Sequence, residues 1–249
     1  MRNVIIWNGI SSDDLGLIVE KVPSYNRPRR KVDVYNVPGR NGDIVIPQDA
    51  WENIEQSYEI WGGKDKGDAV RLGYAVAEWL CAPSGYQKLE DTYDPEHYRK
   101  AYFPGPFDVD NWLQRQGRTI ITFNCDPRRF LNDGEIPFAL PLDAQVKLMN
   151  PTQFQAKPLI SVTPNGTTQG SVMNTNGYAS QYMGWEHTQA TGPFVLDSEK
   201  EAATWPSGTS RWIGETTGKF IILGPGENVL QATGGTGATY TITPNWWEL

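Results

Sequence analysis

The side chains able to do chemistry are few and scattered. There are two histidines, His97 and His187, and two cysteines, Cys81 and Cys125. A zinc site wants His, Cys or carboxylate ligands at short, regular spacings, and these four residues fall at none. Asp91, Asp94, Glu96 and His97 do cluster, but around an Asp-Pro step that reads as a solvated turn. Paired carboxylates can hydrolyse a glycosidic bond. Glu186, Asp197, Glu199 and Glu201 are the available acids, and no surrounding motif marks them. No Gly-x-Ser-x-Gly elbow, phosphate loop or dinucleotide fingerprint occurs. The nearest approach is Ala232-Thr-Gly-Gly-Thr-Gly237. It joins two β-prone runs and opens no helix, so it reads as a hairpin loop. The expectation is no enzyme, no metal and no cofactor.

Aromatic residues are the better hint of binding. Trp185, Trp205, Trp212, Trp246 and Trp247 all lie in the second half of the chain. An exposed indole offers a wide, polarised face on which a sugar can stack, although tryptophans mostly bury. Trp185, Trp205 and Trp212 are the candidate contacts to a sugar or a partner. Trp246 and Trp247 are adjacent, so in an extended segment they face opposite ways and at most one is core.

The elements that must position these groups are mostly strands. The chain has 249 residues with 25 Gly and 18 Pro, and 12% of its residues are aromatic. That length suits two domains, and that mix suits a largely β protein. Strands are predicted over 3–7, 17–22, 58–61, 86–89, 98–103 and 118–124, the last ended by Asp126-Pro127. One helix starts near an Asp68 cap and ends at Pro83-Ser-Gly85. Leu72, Ala75, Val76, Trp79 and Leu80 form its buried face. Beyond a proline-bearing stretch at 136–142, runs at 159–163, 194–197, 220–223, 228–232 and 239–243 alternate with Gly, Asn and Pro turns. Such spacing predicts a β-sandwich. The boundary falls near residue 140, giving domains 1–140 and 141–249. Charge supports the split, because residues 146–249 hold only 5 Lys/Arg and 7 Asp/Glu.

The most informative segment is Val34-Tyr-Asn-Val-Pro-Gly-Arg-Asn-Gly-Asp-Ile-Val-Ile46. Two β-prone runs flank a turn cluster in which Asn41-Gly42 is a strong hairpin signal. A two-stranded ribbon is barely stable alone and needs a sheet or a second chain to lean on. A basic approach, Arg27-Pro-Arg-Arg-Lys31, precedes it. Arg27, Arg29, Arg30, Lys31, Tyr35 and Arg40 are therefore the candidate contacts between copies.

Net charge is −7, so the chain carries no general nucleic-acid footprint. Two isolated cysteines make no disulfide framework and are expected to be buried free thiols. The N-terminus lacks the apolar run of a signal peptide, and no membrane span is expected.

The first half carries Val37-Pro-Gly-Arg-Asn-Gly-Asp43, Trp79-Leu80, Gly85-Tyr-Gln-Lys-Leu89, Tyr98-Arg-Lys-Ala101 and Ile121-Thr-Phe-Asn-Cys-Asp-Pro-Arg128. The second carries Asn150-Pro-Thr152, Pro158-Leu159, Leu196-Asp-Ser198, Pro225-Gly-Glu-Asn228 and Asn245-Trp-Trp247. Taken in order, these motifs resemble the distal tail proteins of long-tailed phages that infect Gram-positive bacteria. The resemblance implies a mainly β fold. Its N-terminal domain is a tail-tube-like β-sandwich with one α-helix and a β-hairpin extension. Its C-terminal domain is a galectin-like or carbohydrate-module-like β-sandwich. It implies a structural, non-enzymatic protein of the virion tail tip or baseplate, made in the host cytoplasm. Its partners are itself, as a hexameric ring, the tail tube protein, the tail-tip hub, the tape-measure protein and receptor-binding proteins. DNA only passes through the channel, and no membrane is involved. The rival expectation is a protein recognising cell-wall sugars through the C-terminal sandwich.

Overall fold

The computed structural model describes residues 3–20, 26–62, 66–114, 117–177, 179–186, 192–204, 215–235 and 237–249. The chain divides into two compact units between Arg129 and Phe130. That is eleven residues before the expected boundary between 140 and 141, and the strand Phe138–Leu140 accordingly pairs in a sheet of the second unit.

The first unit contains β1 (Ile5–Trp7), β2 (Ile10–Ser11), β3 (Ile18–Val19), β4 (Arg30–Tyr35), β5 (Ile44–Trp51) and β6 (Ile54–Trp61). Helix α1 (Lys66–Cys81), β7 (Gln87–Asp91), β8 (His97–Tyr102), helix α2 (Val109–Gln114) and β9 (Arg118–Leu131) come next. Its main sheet has the order β2-β1-β7-β8-β9-β6-β3. Strand β6 alternates strictly, with Ile54, Gln56, Tyr58 and Ile60 buried, the period-2 signature of a sheet with one covered face. Val76, Trp79 and Leu80 of α1 and Trp112 of α2 share a core with Trp7, Ile60, Ile121 and Phe123. The Trp112 indole N–H donates to the Ala69 carbonyl at 3.0 Å. Gly73 lets the two helices approach, because a Cβ there would sit 3.0 Å from Trp112 Cδ1. The short α2 is absent from the expected elements.

Strand β9 runs through Asp126-Pro127 instead of ending there. Its last partner on β6 is Cys125, opposite Ile54, so Pro127 lies past the point where its missing N–H would break a β6–β9 bond. The bidentate Arg128–Asp126 pair sits at this crossing (Nε–Oδ1 2.9 Å, Nη2–Oδ2 2.8 Å). Burial alone would raise the Asp126 carboxyl, but the hydrogen bonds and charge of Arg128 outweigh it and hold it below the usual range.

The second unit opens with a 3-10 turn (Asn132–Glu135). It continues with β10 (Phe138–Leu140), β11 (Gln145–Asn150), β12 (Leu159–Thr163), β13 (Gln169–Asn176), β14 (Ala179–Glu186) and β15 (Phe194–Asp197). It ends with β16 (Ala202–Thr204), β17 (Glu215–Gly218), β18 (Gly226–Gly234), β19 (Thr239–Thr243) and β20 (Trp247–Glu248). Two five-stranded antiparallel sheets, β10-β19-β12-β15-β16 and β11-β18-β13-β14-β17, face one core that includes Ile160, Leu196, Ile242, Val172, Met183 and Leu230. This is a β-sandwich, and the chain as a whole is mainly β. The glycine-rich Ala232–Gly237 stretch is not a hairpin loop, since β18 and β19 lie in different sheets.

The expected strand at 220–223 is not one. Ile221 and Leu223 are fully buried, but only Leu223 pairs, with Ala156. Side-chain amides serve the backbone of Ile222 and Gly224. Gln181 Oε1 accepts the Ile222 N–H at 2.7 Å, and Asn174 Nδ2 donates to the Ile222 carbonyl at 2.9 Å. Asn228 accepts the Gly224 N–H at 3.0 Å and donates back to the Gly224 carbonyl at 2.8 Å.

Candidate functional site

Strands β4 and β5 form a two-stranded sheet of their own, with no further strand among the described residues. Its register pairs Val32 with Pro47, Asp33 with Ile46, Val34 with Val45 and Tyr35 with Ile44. Directly paired residues project to the same side. One face is therefore Val32, Val34, Val45 and Pro47, without a charge. The other carries Asp33, Tyr35, Ile44 and Ile46. Both faces lie in solvent: Val34 is 55% exposed, Val45 56%, Tyr35 55% and Ile46 48%.

The ribbon is well defined at each end. At the base, the Glu52 N–H donates to the Arg29 carbonyl at 2.8 Å. Arg30 stacks over the Trp51 ring at 4.6 Å and lies 3.6 Å from Asp49 Oδ1. A register shift between Arg30 and Val32 adds a bulge there, which increases local twist. At the tip, Asn36 Nδ2 donates to Asp43 Oδ1 at 3.1 Å. The tight turn is Val37-Pro38-Gly39-Arg40, closed by Arg40 N–H to the Val37 carbonyl at 3.1 Å. Asn41-Gly42 is not the apex. Proline at the second turn position and glycine at φ +81° in the third satisfy a type II turn, which outcompetes the hairpin signal beside it.

All six predicted contact residues, Arg27, Arg29, Arg30, Lys31, Tyr35 and Arg40, are exposed on or beside this ribbon. The prediction does not include the bare aliphatic residues that surround them. Their signal is the pair of runs Val-Asp-Val-Tyr and Ile-Val-Ile-Pro, the second of which lacks the polar alternate positions of a half-buried hairpin.

The predicted sugar contacts fare differently. Trp185 is 2% exposed and belongs to the sandwich core. Its indole N–H donates to Tyr240 Oη at 3.0 Å, and Tyr240 in turn donates to the Thr233 carbonyl at 3.1 Å. It packs edge-on against Phe194. Trp185 is therefore a core residue and offers no face to a sugar. Trp205 and Trp212 lie outside the described residues. Trp246 is buried, while Trp247 stacks on Phe154 with ring centroids 4.4 Å apart.

The Asp91–His97 segment is a turn with Thr92, Pro95 and Glu96 exposed, as expected, but its other side chains are half-buried and bonded to one another. Tyr58 Oη donates to Asp91 Oδ2 at 2.6 Å, and Asp94 Oδ1 lies 2.7 Å from His97 Nδ1. Arg129 closes on His97 at 3.2 Å. It is a part-buried polar network around the β7–β8 turn. Nearby, burial pushes the Cys125 thiol up to about 12, with the Arg99 charge opposing. Cys81, expected to be buried, is exposed at the end of α1. No group of three or more metal-ligating side chains assembles among the described residues, and no described helix is long and apolar enough to cross a membrane.

No protein-family model matches this chain, and no curated protein sequence does. A solved structure does. The fold is shared over its whole length with that of a phage adsorption-hub protein, so the expected likeness to distal tail proteins is present in the fold. That protein is Dit (gp 19.1) of phage SPP1, described as a paradigm of the hub adsorption apparatus in phages infecting Gram-positive bacteria. The TM-score is 0.69 over 100% of both chains, at 14% sequence identity.

Proposed function

We propose that this chain is a structural protein of a phage tail tip, a distal tail protein. It forms a hexameric ring joining the tail tube to the baseplate hub and the host-adhesion apparatus. The observation that carries this reading is the β4–β5 ribbon. Its uncharged face, and the aliphatic residues of the other, have no covering strand among the described residues, in a chain that shares its fold end to end with a hub protein. Bare aliphatic residues on a lone ribbon are stable in solution only at a cost, and a second chain removes it. A head-to-tail contact through such an arm closes naturally into a ring.

In this reading the first unit makes the ring and the sandwich faces outward toward the hub or receptor-binding proteins. The tape-measure protein ends near the channel. The acidic balance suits a channel through which DNA passes without adhering. The function is non-catalytic, and the protein resides in the virion after synthesis in the host cytoplasm. Negative-stain electron microscopy of the purified chain tests this. Six-fold rings with a central channel are expected, and a field of single particles at every concentration contradicts the reading.

A further inference from the structure

A head-to-tail ring needs two different surfaces on one chain, a donor and an acceptor. The ribbon is the donor in the proposed ring, and the choice of acceptor rests on that reading. The acceptor must be concave, apolar and opposite in charge to the ribbon. Residues 26–51 hold five Lys/Arg and three Asp/Glu, a net of +2, against −9 for the rest of the −7 chain. The rest of this chain is thus opposite in charge to the ribbon.

One cleft of the first unit meets these demands. It lies between α1 and the β1–β2 turn, has a volume of about 450 Å³, and is lined by Ile10, Leu15, Ala75, Glu78, Trp79 and Pro83. Ile10 is 45% exposed, an apolar residue on β2, the terminal strand of the sheet. Trp79 forms a rigid floor, its indole N–H donating to the Trp7 carbonyl at 3.3 Å. Glu78 on the cleft and Asp13 and Asp14 in the turn after β2 are exposed. They give the rim a negative character. An end strand also presents backbone groups to which an extended segment can add.

We infer that this cleft accepts the ribbon of a second copy, with the uncharged face Val32, Val34, Val45 and Pro47 laid against Ile10 and Trp79. Arg27, Arg29 and Lys31 then lie toward the acidic rim. The opposite face, with Asp33 and Tyr35, stays toward the outside of the contact.

The test uses the full chain. Val34→Cys is combined with the native exposed Cys81, which lies two residues before Pro83, and treated with a short bis-maleimide. A ladder of linked copies is expected, absent when Cys81→Ser is added. Ile10→Glu and Glu78→Lys, both at exposed positions, are each expected to weaken association at least tenfold by analytical ultracentrifugation, with an unchanged melting temperature. If Val34→Glu dissociates the assembly while both cleft variants leave it intact and no ladder forms, the cleft assignment is overturned and the ring reading stands. If the unmodified chain is a monomer at all concentrations, both are overturned.

Discussion

Val34 and Val45 sit directly opposite each other on the ribbon, and both are more than half exposed. In a half-buried sheet this position belongs to the covered face. The pair is therefore informative about assembly, since it contributes little to the monomer. Val34→Glu is expected to lower the stability of the isolated chain by only about 0.2–1 kcal/mol, the size of one lost cross-strand pair. It should abolish oligomers at concentrations where the parent chain assembles. Thermal melts and sedimentation on the same samples separate the two effects.

The sandwich depends on amides that replace strand pairing under 220–223. Asn228 serves Gly224 through both its N–H and its carbonyl, and also accepts from Asn174 Nδ2 at 3.1 Å. Asn228→Ala leaves several buried groups without partners, each costing about 1–3 kcal/mol. A loss of at least ~2 kcal/mol in urea unfolding of the second unit is expected, and a change below ~0.5 kcal/mol would contradict this role.

Tyr240→Phe tests Trp185 in the same way. The substitution keeps the ring but strands the buried indole N–H, for an expected loss of about 1–3 kcal/mol. Any sugar affinity of the protein should be unchanged in this variant while it remains folded, because Trp185 is inside the core. A selective loss of glycan binding with native stability would contradict that placement.

The two thiols should behave oppositely. Cys81 is exposed and Cys125 buried, with the Cys125 thiol pushed up to about 12. One thiol per chain is expected to react quickly with Ellman's reagent at pH 8, and the second only on unfolding. The raised thiol also sets an alkaline limit. Below the ordinary thiol range both states are protonated and Cys125 contributes no pH dependence. As pH rises from about 9 toward 12, the unfolded chain ionises first and stability falls. Cys125→Ser should flatten that limb.

At the acid end the group to follow is Asp126. Its carboxyl is held below the usual range in the folded chain. The stability it contributes is present above the ordinary carboxylate pKa and is lost as pH falls through the folded value. Asp126→Asn should therefore lower the melting temperature near neutrality and approach the parent in strong acid. A difference that grows on acidification would reverse the assignment.

Much of this architecture is legible in the sequence where local signals and tertiary demands agree. Strands β12, β15 and β19 occur at their predicted bounds, because short runs of β-branched or large apolar residues are set off by turn residues. Helix α1 shows its 3.6-residue face for the same reason. The failures share a cause, which is information held by distant residues. Pro127 reads as a strand end, yet the chain continues because β6 has already stopped pairing. The run at 220–223 reads as a strand, but Asn174, Gln181 and Asn228 satisfy it instead. Trp185 reads as available, yet Tyr240, 55 residues away, holds its N–H. The ribbon is legible as a basic hairpin. Its exposed aliphatic faces are visible only once the register fixes which residues share a side.

The ribbon's role in building the ring is open to a direct measurement. Because Glu52 N–H reaches the Arg29 carbonyl at 2.8 Å, residues 30–51 can be replaced by a short Gly-Ser turn without straining the base. The decisive quantity is the solution mass of this variant beside the full chain, by light scattering. Six copies of the 27.9 kDa chain are expected for the parent, and a folded monomer for the variant. A variant that still assembles to the parent's mass would contradict the ribbon's part in the ring.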